Sequence, residues 1–315
     1  MNRVSLSYLA LIITTIAWSS SLIFAKLIFD EVSPIVFVAL RYTLACPFLL
    51  ALTLQQNRKN KSGNLKKSWK ILLVAGLCGP FISQIMQYIG LNMTTASDAL
   101  LLLNLTPIFA VILAAPLLKE RITLDKILGL FLATIGVILI VVNTSPEYAA
   151  INVQRILGDI IVIASTFFFA INGIAGKIAV KYENAVTVTF YSTLFAVPFI
   201  WISAAILEDV TVLFRMSAFT WLVIAWVAIV NTVMAFILYY QSMKYIEASR
   251  VQITLNLIAV WGVLMSVLIL HETITLLQIT GGFLTIVGVI LAQMTQIRKK
   301  SNEALISPDE TTQSD

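Results

Sequence analysis

Long apolar stretches follow one another along most of this chain, and short polar segments separate them. A helix needs about 20 mostly apolar residues to cross the hydrocarbon core of a bilayer, and ten stretches have that length. Their apolar runs are continuous, whereas barrel strands need only about 10 residues of alternating pattern. The pattern therefore predicts ten transmembrane helices. The predicted spans are residues 7–29, 33–54, 70–92, 95–118, 124–143, 156–180, 185–207, 218–243, 248–270 and 276–296.

The amino-acid composition supports the same interpretation. Hydrophobic residues make up 59% of the 315 residues and charged residues only 12%, whereas a soluble globule averages roughly 25% charged residues. Lipid must therefore be the solvent for much of the surface. The first span is longer than the apolar region of a signal peptide and has no A-x-A-like site after it, so we expect it to be permanent. Cys46 and Cys78 lie in apolar runs and are typical of small core residues.

The distribution of basic residues predicts the orientation. With a cytoplasmic N-terminus, 17 of the 21 Lys and Arg residues fall on the cytoplasmic side. The outer side holds only Arg155 and Arg215, and Lys26 and Arg41 lie within spans. Short loops rich in Lys and Arg face the cytoplasm, so we expect an integral plasma-membrane protein with both termini cytoplasmic. This pattern explains the net charge of +5 without a nucleic-acid partner, and the polar segment 298–315 is expected to be a disordered cytoplasmic tail.

Two parts of the chain carry nearly the same sequence. "GLFLATIGVIL" starts at Gly129 and "GGFLTIVGVIL" at Gly281, and 20 of 52 positions between Tyr88 and Leu139 are identical to those 152 residues later. Chance similarity between Leu-rich helices does not explain Asn, Glu and paired Gly in register. The chain is therefore predicted to contain two five-helix repeats, residues 1–146 and 147–297.

An odd number of helices makes the second repeat enter the membrane from the opposite side to the first. The predicted fold is thus an all-α polytopic membrane protein with ten transmembrane helices in two inverted five-helix repeats. Such repeats place a substrate site near the midplane of the bilayer and support alternating access. The small residues of the doubled phrase share one helix face in each repeat, which predicts close helix packing there.

Several motifs resemble the EamA family of the drug/metabolite transporter superfamily. They are "WSSSLIFAK" from Trp18, "PIFAVILAAPLLKERIT" from Pro107, and the second copy of that motif, "AVWGVLMSVLILHETIT" from Ala259. The resemblance covers roughly residues 5–296. It implies that helices one to four and six to nine surround a central cavity, with helices five and ten at the periphery. It does not identify a substrate, since relatives move amino acids, other metabolites, nucleotide sugars, cofactors and drugs.

Polar side chains inside the predicted spans are costly in lipid, so each is a candidate functional position. A wet cavity combines aromatic walls with a few placed polar groups, although interhelical hydrogen bonds explain any single Asn or Gln equally well. Snorkelling to the headgroups is an alternative for Lys26 and Lys177. Arg41 either pairs with Asp30 or Glu31 or meets an anionic group of the substrate. The candidate substrate-binding residues are Trp18, Ser21, Lys26, Arg41, Gln84, Gln87, Tyr88, Asn104, Asn172, Lys177, Tyr239, Tyr240, Gln252, Asn256 and Trp261.

Enzymatic motifs are missing from the sequence. His271 is the only histidine, and "HETIT" lacks the second histidine of a zinc-binding H-E-x-x-H. "GIAGK" from Gly173 does not have the spacing of a P-loop. We therefore expect no enzymatic activity, no metal site and no cofactor. No Asp or Glu lies at the middle of a span, so a proton-coupling residue is not evident, and coupling through a carboxylate at a helix end stays open.

These observations together predict a secondary transporter. It would move small metabolites, such as amino acids or other carboxylate-bearing solutes, out of the cell across the plasma membrane by alternating access. The intramembrane charges are all cationic, which favours an anionic group on the substrate. A multidrug or cation efflux carrier and a non-transporting membrane scaffold are the alternatives. The expected partners are a small-molecule substrate and the lipid bilayer, and the sequence leaves the oligomeric state undetermined.

Overall fold

Helices dominate the computed structural model, which describes residues 3–59, 65–94, 99, 102–142, 153–270 and 276–306. No strand occurs among the residues described. The helices are α1 (Arg3–Ile28), α2 (Pro34–Lys59), α3 (Leu65–Gly76), α4 (Gln84–Met93), α5 (Thr106–Leu118), α6 (Leu124–Val142), α7 (Val153–Ala179), α8 (Ala185–Leu207), α9 (Ala218–Trp226), α10 (Ala235–Met243), α11 (Ala248–Thr254), α12 (Leu257–Leu270) and α13 (Leu276–Ile306).

Within the described residues, eight helical segments are long and apolar enough to cross a membrane, and α5 is a shorter apolar helix. The all-helical membrane architecture is confirmed, whereas the count of ten spans is not. The predicted spans 95–118 and 124–143 correspond to α5 and α6, and neither is among the eight. The eight spans are Arg3–Ala25, Pro34–Arg58, Leu65–Met93, Val153–Ala179, Ala185–Leu207, Ala218–Met243, Ala248–Met265 and Leu276–Met294.

Two spans contain a widened, π-helical stretch at equivalent positions of the repeats. Leu77–Ser83 joins α3 to α4, and Val227–Met234 joins α9 to α10. Pro80 in the first stretch has no backbone N–H to donate, which disturbs the α-helical ladder. Such stretches are frequent at functional sites, and both lie beside the cavity described below.

Helices α6 and α13 pack together through the doubled glycine phrase. A Cβ atom on Gly136 would lie 2.5 Å from the carbonyl oxygen of Gly281, and a Cβ atom on Gly129 would lie 2.5 Å from that of Gly288. The two backbones approach so closely because no side chain separates them. The predicted close packing is confirmed, and it joins the last helix of the first repeat to the last helix of the second.

We expect Gly281→Ala to lower the free energy of unfolding by about 1–3 kcal/mol, a usual cost of overpacking. Its Cβ atom would lie 2.6 Å from the carbonyl oxygen of Gly136, so the backbones must separate. Gly282→Ala is the matched control, because its Cβ atom would meet only one Val260 methyl group, at 4.0 Å. Thermal unfolding of both purified variants checks this, and equal destabilisation would contradict it.

The C-terminal helix extends further than predicted. Helix α13 continues to Ile306, so residues 298–306 are helical, although we expected them to belong to a disordered tail. The Lys, Glu, Ala and Leu residues of this segment are good helix formers and extend an existing helix without a new nucleation step. Residues 307–315 of the predicted tail lie outside the described residues.

Loop carboxylates of each repeat bind the start of a helix in the other repeat. Glu31 accepts hydrogen bonds from the backbone N–H of Ser217 at 2.9 Å and from the Thr220 hydroxyl at 2.5 Å, where α9 begins. Glu183 accepts one from the Ser68 hydroxyl at 2.8 Å, near the start of α3. Glu31 and Glu183 are 152 residues apart, as are Ser68 and Thr220. Each repeat therefore makes the same contact with the other repeat, through the equivalent carboxylate and the equivalent helix start.

We expect Glu31→Gln to destabilise the protein at neutral pH but much less in acid. Hydrogen bonds from the Thr220 hydroxyl and from Ser217 hold the pKa of the Glu31 carboxyl below its ordinary value of 4.5. A carboxyl whose pKa is lower in the folded state stabilises the fold above its unfolded pKa, and this contribution is lost as the pH falls through the folded pKa.

Unfolding of the Glu31→Gln variant and the wild type at pH 7 and at about pH 3 measures this effect. The difference in stability should be largest above pH 4.5 and should shrink below it. Asp30→Asn is the control, because Asp30 is the neighbouring exposed carboxylate. A difference that is the same at both pH values would show that ionisation of Glu31 is not involved.

A buried ionic cluster joins the repeats at the end of the bundle where α6 and α11 begin. Arg250, only 2% exposed, pairs with Asp125 at 2.9 Å and with Glu247 at 2.7 Å, and also donates to the Ala292 carbonyl. Lys126, equally buried, pairs with Glu247 at 2.9 Å. Burial raises the pKa of Glu247, but hydrogen bonds from Lys126 and Arg250 outweigh it and hold that pKa below 4.5. The ionised carboxylate therefore links the two repeats.

Candidate functional site

A cavity of about 90 Å³ lies between the two repeats. One water molecule needs roughly 10–15 Å³ of such space, so the cavity has room for several waters or for part of a small solute. None of the described lining residues comes from α6 or α13, in agreement with the peripheral position implied for helices five and ten. The lining residues are Trp18, Ser21, Arg41, Gln84, Gln87, Tyr88, Leu103, Asn104, Thr106, Pro107, Phe169, Phe236, Leu255, Asn256, Ile258 and Ala259.

The structure brings eight of the fifteen candidate residues to this cavity. A role of these residues in substrate binding stays a prediction, but their positions make it geometrically consistent. They come from three helices and one turn of the first repeat and from one turn of the second, far apart in sequence. The eight are Trp18, Ser21, Arg41, Gln84, Gln87, Tyr88, Asn104 and Asn256.

Arg41 is the charged group of the cavity wall. Its side chain is 2% exposed, and its guanidinium donates from Nε to the Thr232 hydroxyl at 2.7 Å. Nη1 donates to Gln84 Oε1 at 2.9 Å and to the Tyr88 hydroxyl at 3.0 Å. Gln84 in turn donates to Gln87 Oε1 at 3.0 Å. Three neutral acceptors thus hold the guanidinium in one orientation.

The expected ion pair of Arg41 with Asp30 or Glu31 is not formed. Neither carboxylate lies within 4 Å of the guanidinium, and none of the ion pairs between described residues includes Arg41. Glu31 instead binds the start of α9. The reason is geometric, because Arg41 faces α4 and the π-helical stretch before α10, whereas Glu31 lies beyond the end of α1. Among the residues described, Nη2 of Arg41 has no hydrogen-bond acceptor and remains available to a ligand.

Tyr88 connects Arg41 to α1. Its hydroxyl lies 2.8 Å from the hydroxyl of Ser21 and also accepts from Arg41. The second repeat contains the matching contact, since the Tyr240 hydroxyl donates to Asn172 Oδ1 at 2.8 Å. Ser21 and Asn172 are 151 residues apart, and Tyr88 and Tyr240 are 152 apart. The repeats therefore conserve the same interhelical contact on either side of the cavity.

The two repeats line the cavity with different chemistry. Gln84 and Thr106 of the first repeat correspond in sequence to Phe236 and Ile258 of the second, and all four line the cavity. The first repeat therefore supplies most of the polar groups, around Arg41. The second repeat supplies mainly apolar side chains, Phe169, Phe236, Leu255, Ile258 and Ala259, together with the polar Asn256. Such a cavity fits a solute with a polar end and an apolar end.

An aromatic cluster of Trp18, Phe169 and Phe236 forms part of the apolar lining of the cavity. The Trp18 ring lies 5.0 Å from the Phe236 ring and 5.8 Å from the Phe169 ring, measured between centroids. Its indole N–H donates to the backbone carbonyl of Asn231 at 2.9 Å, which fixes the ring. Rings held in this way provide a rigid apolar surface for a ligand.

Four other candidates form a buried polar cluster beside the cavity, within the second repeat. Tyr239 accepts a hydrogen bond from Gln252 Nε2 at 3.0 Å, next to the Asn172–Tyr240 pair. Asn172 Nδ2 and Gln252 Oε1 are buried without a partner among the described residues. None of these four lines the cavity, so their part in substrate binding stays a prediction.

The remaining three candidates lie elsewhere. Lys177 donates to the backbone carbonyls of Met243 and Ile246, a contact that satisfies the end of α10. Trp261 donates to the Thr15 hydroxyl at 2.9 Å and so joins α12 to α1. Lys26 lies in the last turns of α1, and its side chain is outside the described part. Lys177 and Trp261 are not among the described lining residues of the cavity.

Sequence reasoning missed the apolar half of the lining and Thr232. Phe169 and Phe236 occupy the repeat positions of Trp18 and Gln84, so projecting the candidates of one repeat onto the other would have found them. Thr232 corresponds to Pro80 in the first repeat and carried no comparable signal. Its hydroxyl accepts from Arg41 Nε, and the residue belongs to the π-helical stretch Val227–Met234.

Helix interruptions lie next to the cavity in both repeats. Turns at 104–105 and 255–256 break the helical segments immediately before α5 and α12. Asn104 and Asn256, at equivalent positions, line the cavity there. Discontinuous helices form the substrate sites of many transporters with inverted repeats. These breaks thus mark the cavity as the candidate site independently of Arg41.

A helical membrane bundle of two sequence repeats with a polar cavity between them defines the class of integral membrane transporters. The chain belongs to the EamA-like transporter family, whose family model matches residues 5–142 and 156–294. An uncharacterised transporter of Archaeoglobus fulgidus is 27% identical over 297 residues, covering 93% of this chain and 99% of that protein. The uncharacterised transporter YyaM of Bacillus subtilis is 29% identical over 270 residues, covering 85% and 87%.

A solved crystal structure shares the fold. It aligns with a TM-score of 0.77 over 93% of this chain and 98% of that one, at 17% sequence identity. Likeness at this level of identity concerns the fold alone.

Proposed function

We propose that this protein is a secondary transporter that moves carboxylate-bearing small metabolites out of the cell, across the plasma membrane, by alternating access. The cavity between the repeats is the proposed substrate site. The observation that carries the proposal is the buried guanidinium of Arg41, which has three neutral acceptors and no carboxylate partner in the described structure. Family membership supports a transport function, and the position of Arg41 supports a carboxylate-bearing substrate.

A buried cation without a counter-ion is costly in a low-dielectric interior. A carboxylate in the cavity would supply the missing negative charge and would accept from Nη2. Hydrogen bonds between a guanidinium and a carboxylate are about twice as strong as neutral ones and are geometrically specific. The bonds to Thr232, Gln84 and Tyr88 hold the guanidinium ready, so little ordering is needed when the ligand binds.

The other cavity groups would recognise the rest of the substrate. Asn256 Nδ2 is a buried donor without a partner among the described residues, and its side chain lines the cavity beside Asn104. The rings of Trp18, Phe169 and Phe236 would contact an apolar portion. This arrangement favours a small amphipathic acid over a uniformly polar one.

Neutralisation of Arg41 also provides a physical link between substrate binding and movement. In alternating access the cavity must close from both sides between its two open states. Closing the cavity removes water from Arg41, which is costly when no anion is bound. A bound carboxylate reduces that cost, so the carrier with bound substrate would change between its two open states more readily than the empty carrier.

A ligand panel tests the proposed substrate class. The purified protein would be melted in the presence of amino acids, other carboxylic acids, their uncharged amides or esters, and lipophilic cations. A ligand that binds only the folded state at 100 times its Kd stabilises it by about 2.7 kcal/mol. We expect stabilisation by at least one acid and none by the matched amide. Stabilisation by lipophilic cations alone would refute the proposal and favour cation efflux.

Transport itself is measured in proteoliposomes and in loaded cells with the acid found in the panel. Release of labelled acid from loaded cells, faster with the protein than without it, is the expected result. Uptake without release would leave the substrate class intact and would refute the outward direction.

The proposal also places both chain ends in the cytoplasm. The Tyr8 hydroxyl donates to Gln293 Oε1 at 2.9 Å, so the beginning of α1 and the later part of α13 lie on the same side of the bundle. We expect Ser5→Cys to react with a membrane-impermeant thiol reagent only after cells are permeabilised. Arg215→Cys, in the predicted external loop, should react in intact cells. The opposite labelling pattern would invert the predicted topology.

A further inference from the structure

A second, shallow groove lies between the start of α3 and the end of α7. Its volume is about 360 Å³, and it is separate from the cavity, with which it shares no lining residue. Its positions on α3 are spaced i, i+3, i+4 and i+7 and therefore share one helix face. The lining residues are Lys67, Lys70, Ile71, Val74, Ile178 and Tyr182.

The groove changes from basic to apolar along the direction of the helix axes. Lys67 is near the start of α3, and Val74 lies seven residues further into the span. A helix rises 1.5 Å per residue, so this separation is about 10 Å, more than the thickness of one headgroup region, about 5–8 Å. With the lysine ammonium groups at headgroup level, Val74 reaches the level of the acyl chains.

Positive charge dominates the basic end of the groove. Lys66 and Lys181 are exposed at the same helix ends, and no acidic side chain is among the lining residues. Glu183, which follows Tyr182 in sequence, is buried and accepts a hydrogen bond from the Ser68 hydroxyl. The Lys70 ammonium lies 5.7 Å from the ring of Trp69, an aromatic residue of the type that is enriched at the membrane interface.

We propose that this groove binds one anionic phospholipid. The ammonium groups of Lys67 and Lys70 would bind the phosphate, and the Tyr182 hydroxyl would donate a hydrogen bond to it. One acyl chain would lie along Ile71, Val74 and Ile178. Basic pockets between transmembrane helices suit anionic headgroups, and the apolar floor distinguishes a lipid from a free phosphate. The site is independent of the proposed transport activity, so either can fail without the other.

Binding of phosphatidylglycerol to the delipidated full-length protein in detergent, measured by native mass spectrometry, tests the site. Each lysine near an anionic headgroup contributes about fivefold to affinity, so Lys67→Gln/Lys70→Gln should lose about 20- to 30-fold. Lys66→Gln/Lys181→Gln is the matched control, since it removes the same charge from the same helix ends but not from the groove. It should change affinity less than about threefold.

Each result decides between the site and its alternatives. Equal losses in the two double variants would show a diffuse surface charge and overturn the proposal. The wild type should bind phosphatidylglycerol more tightly than phosphatidylcholine with the same acyl chains, and equal binding would also overturn it, without any variant. Inorganic phosphate should not displace the lipid. Displacement by phosphate would identify a free phosphate site instead and refute lipid as the ligand.

Discussion

Replacement of Arg41 by glutamine is expected to weaken binding of the carboxylate ligand about 100-fold, or about 3 kcal/mol. The variant loses the only positive charge among the described cavity-lining residues, together with the Nη2 donor, which has no acceptor in the same part of the chain. Titration of the ligand found in the panel, followed by thermal stabilisation or by transport in proteoliposomes, measures the loss. Arg41→Lys keeps the charge without the planar fork and should fall between the wild type and Arg41→Gln.

Unfolding of the ligand-free Arg41→Gln variant distinguishes a binding role from a structural one. Removal of a buried cation that lacks a counter-ion should leave the melting temperature unchanged or raise it. A purely structural Arg41 predicts the reverse, a lower melting temperature with ligand affinity intact. That second outcome would refute the assignment of Arg41 to substrate binding.

Replacement of Arg250 by methionine is expected to lower the free energy of unfolding by about 3 kcal/mol. Removing one partner of a buried ion pair typically costs about 3–5 kcal/mol, because the opposite charge is left without compensation. Asp125 and Glu247 would both lose the guanidinium. The lower end of the range is expected because Glu247 is 39% exposed and can regain water. Chemical or thermal unfolding of the purified protein measures the change.

Lys244→Met is the control for Arg250→Met. Lys244 is an exposed basic residue near the same end of the bundle and belongs to no described ion pair of the cluster. Substitutions at such positions usually change stability by less than about 0.5 kcal/mol. Similar losses of stability for the two variants would mean that positive charge at this end of the bundle stabilises the fold and that the buried ion pairs do not.

The general architecture could be predicted because its signals are local in sequence. Lipid requires long apolar helices, and this requirement is visible as apolar runs without any knowledge of contacts. The doubled phrase at Gly129 and Gly281 predicted close packing, since small residues are what such packing needs. The structure adds that these two copies pack against each other. Gly129, Gly136, Gly281 and Gly288 each lie against the backbone of the other helix.

The candidate site could be predicted mainly for residues whose chemistry conflicts with lipid. Arg41, Gln84 and Asn104 attracted attention because polar groups are costly inside a span. Phe169 and Phe236 could not be found in this way, because an apolar ring looks the same whether it faces lipid, the core or a cavity. Lys177 carried the same signal as Arg41, and Trp261 was a candidate for an aromatic wall, yet the structure gives both residues contacts between helices.

The sequence by itself determined that this is a membrane protein of two helical repeats, because hydrophobic length and repetition do not depend on how the helices face one another. Only the tertiary structure decided that Arg41 faces Thr232 and Tyr88 while Glu31 binds the start of α9. It also decided that Phe169 and Phe236 line the same cavity as Arg41. The physical reason is that the rotation of each helix about its axis is set by packing with distant helices, and nothing local in the chain specifies it.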